Sequence, residues 1–380
     1  MPKNPNQKDR PSDANDLAVI GGGTAGAAAA SLAAKAGLRV VMIERCEASD
    51  SSRVSAWVGA AAELLLEKLD LTWKRVGAEP FRGVSFHTET LQRRQDVRLG
   101  RPMAYFVDLT AWNRILRQSA AERSAVCMYG VAVCSVQARE DHVAVECLSG
   151  HGLKASVALL ADGPLSASAN AVGLVPSGAN PGEVAVQLDW TAARTSRLPT
   201  GVLHFVLGIE GGRALAVFAA VRGREYLTVF ARDEALAREH MQRLVGRLRD
   251  LFGVALPARL DASCASARIV PTARALEIES HVGKRTIAIG DAGGFVTAAT
   301  REGIFPAMWS AALAVDVIAE ALRGGHVQDK LRRFDTLWRT TMADYLRPPN
   351  TDLQFLLPLV FSNKQMAERL AAAFLRGESS

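Results

Sequence analysis

Six residues near the start, Gly21-Gly22-Gly23-Thr24-Ala25-Gly26, restrict this chain more than any other stretch. They follow an apolar run, Leu17-Ala18-Val19-Ile20, and open an alanine-rich segment that ends at Lys35-Ala36-Gly37. A second apolar run, Leu38 to Ile43, stops at Glu44. The order reads strand, turn, helix, strand, which is a βαβ unit. In that context each glycine has a task. Gly21 permits the tight turn, Gly23 lets backbone approach a pyrophosphate, and Gly26 lets the helix pack close to the strand. The helix N-terminus offers unpaired N–H groups and partial positive charge to phosphates. Thr24 and Ala25 complete the loop. Glu44, with Arg45 after it, stands where an acid accepts hydrogen bonds from a ribose hydroxyl pair. The unit predicts a bound dinucleotide.

Two later markers have the same grammar. Val157-Ala158-Leu159-Leu160 is a short buried strand that leads into Asp162-Gly163, and Val131 begins the strand pair 131–136 and 143–148. Thr286-Ile287-Ala288-Ile289 is a strand that ends in Gly290-Asp291, and Glu302-Gly303-Ile304 opens another helix soon after. A carboxylate at a strand end can hold a ribityl hydroxyl. A helix N-terminus there can stabilise negative charge on a reduced flavin.

Taken in this order, the motifs resemble the FAD-dependent oxidoreductases of the p-hydroxybenzoate-hydroxylase-type fold. Gly290-Asp291-Ala292-Gly293-Gly294-Phe295-Val296, followed by Glu302-Gly303-Ile304 and Ala307-Met308, is most similar to their geranylgeranyl-reductase-like branch, which is related to flavin-dependent halogenases and monooxygenases. The resemblance covers most of residues 15–375. It implies non-covalent FAD held by Gly21, Gly23, Thr24, Ala25, Gly26, Glu44, Arg45, Arg114, Val131, Asp162, Gly163, Gly290, Asp291, Gly303 and Ile304. It also implies hydride transfer from reduced FAD to a C=C bond of a bulky, mainly apolar substrate. Alternatives within the fold are a monooxygenase or halogenase-like enzyme that forms a flavin hydroperoxide and acts on an aromatic or peptide-bound substrate. A non-catalytic accessory protein is a further alternative. Where the branch usually carries Arg or Gln before the Thr110 helix this chain has Leu109, and Ala298 and Arg301 replace a Pro and a Gly. Catalytic residues are not identified. With one dinucleotide fingerprint, NAD(P)H or a separate reductase serves as a transient electron donor.

The expected fold class is α/β: a Rossmann-like FAD-binding domain (15–82, 103–180 and 281–325) with an inserted, mostly antiparallel substrate sheet (83–102 and 181–280). A C-terminal helical cap (326–380) follows, and residues 1–14 are expected to be a disordered tail. Val184, Val186, Leu188 and Trp190 alternate with polar or small residues, which is a half-buried strand. Val327, Leu331, Phe334, Trp338, Met342 and Tyr345 recur at helical steps and predict one long apolar helix face, and Met366, Leu370 and Phe374 predict a last amphipathic helix.

Composition excludes several classes. Hydrophobic residues make up 49% and charged residues 22%, so a fibrous or wholly disordered chain is ruled out. The net charge of +6 is scattered and does not form the stripe that nucleic acid requires. Five cysteines without a CxxC spacing argue against a disulfide framework or a zinc site, so no metal is expected. These features fit a cytoplasmic protein, peripheral to a membrane if Lys364, Arg369 and Arg376 meet anionic lipid. The partners expected are a hydrophobic small-molecule, lipid or peptide-bound substrate, with the oligomeric state open. Cys46 is expected in a packed turn and His204 in a structural setting. Trp57, Trp190 and Trp309 are candidates for an apolar pocket or for simple core. Arg301–Glu302 reads as a helix-start charge pattern or as groups with a partner near the flavin.

Overall fold

In the computed structural model, which describes residues 15–49, 54–175, 182–256, 265–324, 326–348 and 353–376, the glycine turn sets the architecture. The expected tail and Cys264 lie outside these residues. Strand β1 (Asn15–Ile20) is buried from Asp16 onward and delivers the chain into Gly21 at φ +100°. A Cβ at Gly21 would lie 2.2 Å from the Ala161 carbonyl oxygen, so no side chain fits. Helix α1 (Thr24–Lys35) starts at once, and the small side chains of Ala27–Ala30 and Ala33 are all buried. Strand β2 (Val40–Ile43) returns parallel to β1 with Leu17 opposite Val40 and Ile20 opposite Ile43.

The remaining strands fall into three sheets. Strands β3 (Ser55–Gly59), β4 (Glu79–Pro80) and β7 (Ala104–Asp108) make a small sheet. Strands β8 (Val126–Met128), β9 (Val133–Ala138), β10 (Val143–Cys147), β11 (Gly152–Leu160), β17 (Val282–Gly283) and β18 (Thr286–Ala288) join β1 and β2. The path runs β17-β18-β11-β1-β2-β8; β10 pairs with β11 and β9 with β10. Helices α1, α3 (Leu109–Glu122) and α6 (Ile304–Gly324) share one apolar core on this sheet, which includes Trp112 and Met308. By length and composition α6 could cross a bilayer, but 78% of its apolar window is buried inside the protein.

The second large sheet runs β16 (Ser266–Val270), β12 (Glu183–Thr191), β15 (Arg224–Ala231), β14 (Ala214–Val221), β13 (Val202–Ile209), β5 (Gly83–Thr88), β6 (Arg94–Arg98). Every pairing is antiparallel except β13 with β5. One face meets helix α5 (Glu234–Phe252), with Phe218, Leu227, Met241 and Leu244 between them. The opposite face packs Phe86 and Phe205 against Phe374. That arrangement leaves the β15 end of this face turned toward the nucleotide sheet.

The C-terminal segment corrects one expectation. The apolar positions from Val327 to Tyr345 are spread over α7 (Val327–Leu331), α8 (Arg333–Thr341) and α9 (Ala343–Leu346). Breaks at Arg332 and Met342 let the chain turn around the core while still burying Leu331, Phe334, Trp338 and Leu346. Helix α10 (Leu353–Ser362) and helix α11 (Lys364–Arg376) close the chain; α11 buries Ala367, Leu370, Ala371, Phe374 and Leu375. One short helix, α2 (Glu63–Lys68), and another, α4 (Ala167–Ala171), complete the fold.

Candidate functional site

A cleft of about 760 Å³ opens where β1 and β2 end, lined by Gly21, Gly23, Glu44, Arg45, Cys46, Val131, Asp162 and Gly163 among others. Glu44 is nearly buried, and its carboxylate accepts the Gly22 N–H at 2.5 Å and the Cys46 N–H at 2.8 Å. Those bonds fix the acid at the end of β2. A Cβ on Gly23 would meet nothing within 4 Å, so the loop presents bare backbone to open space at the start of α1. Gly26 differs: a Cβ there would lie 1.8 Å from the Gly21 carbonyl oxygen. Its missing side chain serves the packing of α1 against the turn. Cys46 is exposed at the cleft edge, contrary to the packed turn expected. The Asp162 carboxylate orders the next turn, accepting from the Ser168 N–H and from the hydroxyls of Ser166 and Ser168.

A second cavity of about 270 Å³ continues from the first, and the two share Gly23, Ala161, Gly163, Arg268 and Ile269. One wall is the nucleotide side: Thr24, Ala25, Asn113, Asp291, Gly303 and Ile304. Thr24 donates its hydroxyl to Asn113 Oδ1 at 2.7 Å, which ties α1 to α3. Gly290 takes φ +57° and has only 2.6 Å between a notional Cβ and Ala25 Cβ, so the Gly-Asp turn sits directly on α1. The facing wall is the inserted sheet, where Tyr226, Thr228 and Phe230 alternate along β15 onto the cavity side beside Val217. Trp57 lines the cavity as well. Trp190 and Trp309 do not.

Charged groups gather at the start of α6. Glu302 is 2% exposed; it accepts the Phe305 N–H at 2.8 Å and the Tyr345 hydroxyl at 3.3 Å. Burial pushes its carboxyl up to about 7, and burial pushes Asp291 up to about 6 against the pull of Arg268. Arg301 is held in the left-handed region at φ +57°. Its Nε and Nη2 each donate to Glu183 at 2.8 Å, a bidentate pair between the α6 loop and β12. Thr272 donates to the same carboxylate at 2.7 Å. The partner of Arg301 is therefore Glu183, more than a hundred residues away, while Glu302 caps the first turn of α6.

Residues 14–344 match the family described as the FAD binding domain. This chain belongs to that family. It is an FAD-dependent oxidoreductase. A digeranylgeranylglycerophospholipid reductase of Methanoculleus marisnigri is 28% identical over 351 residues, covering 86% of this chain and 82% of the relative. A geranylgeranyl bacteriochlorophyll reductase-like protein from Thermoplasma acidophilum has the same fold, with a TM-score of 0.73 at 16% identity over 97% of this chain and 98% of its own. A flavoprotein/dehydrogenase from Cytophaga hutchinsonii gives a TM-score of 0.72 at 16% identity over 96% and 92%.

The residues present fit FAD. The Gly23 cradle is open, Glu44 stands at the ribose end of one cleft, and Asp291, Gly303 and Ile304 stand at the far end of the joined cavities. Arg114 is not brought to either cavity. It falls on the solvent side of α3, exposed and off both cavities, because the helix turns Leu109 and Asn113 to the cleft instead. His204 lies on the α5 face of the inserted sheet, with Phe218 stacked at 4.4 Å, and is remote from the cavity lining. Sequence reasoning missed Arg268, Asn113 and Tyr226. For Tyr226 the alternation with Thr228 and Phe230 was a usable signal, whereas nothing local marks Arg268.

Proposed function

We propose that this flavoprotein reduces a C=C bond of a bulky, mainly apolar substrate seated between the start of α6 and the inserted sheet. The observation that carries the reading is the second cavity. Its wall of Trp57, Val217, Tyr226, Phe230, Val270 and Val296 is apolar, while its acids sit together at the end formed by Asp291 and Glu302. Likeness to a reductase of an isoprenoid lipid over most of the chain supports the same reading.

Bound FAD supplies the hydride. The chain's own residues do the rest. Gly21, Gly23 and Glu44 hold the nucleotide half, and Asp291 with the Gly303–Ile304 backbone faces the flavin half. The apolar wall excludes water from the reacting bond. Glu302 holds a proton on its carboxyl near neutral pH, since burial favours the neutral form. Reduction of a C=C bond needs one hydride and one proton, and this carboxyl at the cavity wall is a proton source of suitable affinity. NAD(P)H visiting transiently, or a separate reductase, refills the cofactor.

The test is a product assay. The FAD-loaded protein, reduced without oxygen, is given an unsaturated isoprenoid lipid, and the product is weighed by mass spectrometry. A gain of two hydrogens per double bond is expected. Addition of an oxygen or a halogen, seen only when air or halide is supplied, would replace this reading with the monooxygenase or halogenase alternative.

A further inference from the structure

We propose that Arg268, carried on the inserted sheet, binds the diphosphate of FAD from the side opposite the glycine loop. The proposal rests on where the two cavities meet. Gly23, where bare backbone meets open space at the α1 N-terminus, is one of five residues shared by both cavities, and Arg268 is another. The glycine loop offers N–H groups and only the fractional positive charge of a helix end. A diphosphate carries a full negative charge on each phosphate, so a whole cation in the middle of this cleft adds a charge-assisted contact that the loop alone does not supply.

Three arginines line the two cavities: Arg45, Arg268 and Arg301. Arg301 is committed to Glu183 through two bonds at 2.8 Å. Arg45 stands beside Glu44 at the ribose end. Arg268 remains, and its surroundings suit the task. It lies on β16 opposite Ala185, keeps accessible surface in the open cleft, and is steered by one bond from Nη1 to Gln187 Oε1 at 2.7 Å. Gln187 is itself held by donating to the Ser55 carbonyl at 2.8 Å and to Asp189 at 2.7 Å. The guanidinium of a residue that lines both cavities is thus anchored by a buried amide. Burial lowers the Arg268 guanidinium from its ordinary value, and the nearby carboxylates Asp291 and Asp189 pull it back up. Because Arg268 belongs to the second sheet, cofactor binding through it clamps that sheet onto the nucleotide sheet.

The test measures binding rather than turnover. The full chain stripped of FAD is titrated with FAD, ADP and riboflavin, for the wild type and for Arg268→Ala, Arg268→Gln and Arg268→Lys. Charge-assisted contacts to a phosphate predict a loss of roughly 10- to 100-fold for both FAD and ADP in the Ala and Gln variants. The loss shrinks as salt is raised, Lys recovers part of it, and riboflavin, which has no phosphate, binds all forms alike. The Gln variant keeps a hydrogen-bonding group and guards against misfolding, checked by the melting temperature of the stripped protein. Unchanged FAD and ADP affinity in a folded Gln variant overturns the proposal. So does a loss confined to FAD with ADP unaffected, which would place Arg268 on the flavin or ribityl part. Failure of ADP to compete with FAD in the wild type also overturns it.

Discussion

The Tyr345 hydroxyl donates to Glu302 Oε2 at 3.3 Å, joining the short helix α9 to the first turn of α6 across the wall of the cavity. Burial raises the Glu302 carboxyl to about 7, so the folded chain binds a proton there that the unfolded chain has already lost. Stability from this proton is fully present below the ordinary carboxylate value and is lost as pH rises through about 7. Unfolding free energies of the FAD-free protein from urea titrations should therefore fall as pH rises from about 4.5 to about 7, by on the order of 1–3 kcal/mol, and level off above. Glu302→Gln, which mimics the protonated form, should flatten the profile. An unchanged slope in the Gln variant would refute the assignment.

Gly23 and Gly26 should separate binding from folding. Gly23→Val places its side chain in open space and leaves the melting temperature of the FAD-free protein unchanged, while FAD binding is abolished. Gly26→Ala drives a Cβ into the Gly21 carbonyl and should cost more than about 3 kcal/mol. Equal melting temperatures for the two variants would contradict the geometry.

Arg301 holds a strained backbone and an ion pair at once. Arg301→Ala should destabilise by about 3 kcal/mol, since Glu183 is left mostly buried without its partner. Arg301→Gly loses the same pair but relieves the φ of +57°, so it should be more stable than the Ala variant by about 1 kcal/mol. Chemical denaturation of both variants decides. A Gly variant no better than Ala would mean that the backbone strain is small.

His87 Nε2 and His204 Nδ1 meet at 2.9 Å between β5 and β13, and burial depresses both. His87 falls to about 4, with His204 well below the usual value of 6.5. The folded chain therefore takes up fewer protons than the unfolded one in this range. Stability is present above about 6.5 and is lost as pH falls toward about 4. The double variant His87→Phe, His204→Phe should show a shallower acid limb in melts from pH about 7 to about 4. An unaltered acid limb would count against the pair.

The last two helices should respond very differently to substitution. Phe374 is buried against Phe86 and Phe205 at centroid distances of 5.8 and 5.3 Å, so Phe374→Ala should cost about 3–5 kcal/mol. Phe355 on α10 is 76% exposed, and Phe355→Ser should change stability by no more than about 0.5 kcal/mol. Thermal melts of the two variants check both. A large loss at Phe355 would show that α10 packs more tightly than its exposure indicates.

The βαβ unit, its glycine turn, the acid that follows and the Gly290-Asp291 turn are all legible in the residues alone. These features are local: a glycine forced to positive φ or close approach leaves its mark within a few residues. The alternation in β12 likewise announced a strand, but not a half-buried one, since Gln187 is buried along with Val186 and Leu188. What those faces meet depends on how distant segments pack. Parallel pairing of β5 with β13 brings residues 83–88 into a sheet otherwise built after residue 183, and it creates the His87–His204 contact. Arg301 finds Glu183, and Arg268 comes to line the same two cavities as Gly23, through chain crossings that no periodicity records. Arg114 shows the same limit at the scale of one turn. A helix can be read from sequence, but a rotation of about 100° per residue decides whether Arg114 or its neighbour Asn113 faces the cleft, and packing against α1 fixes that rotation.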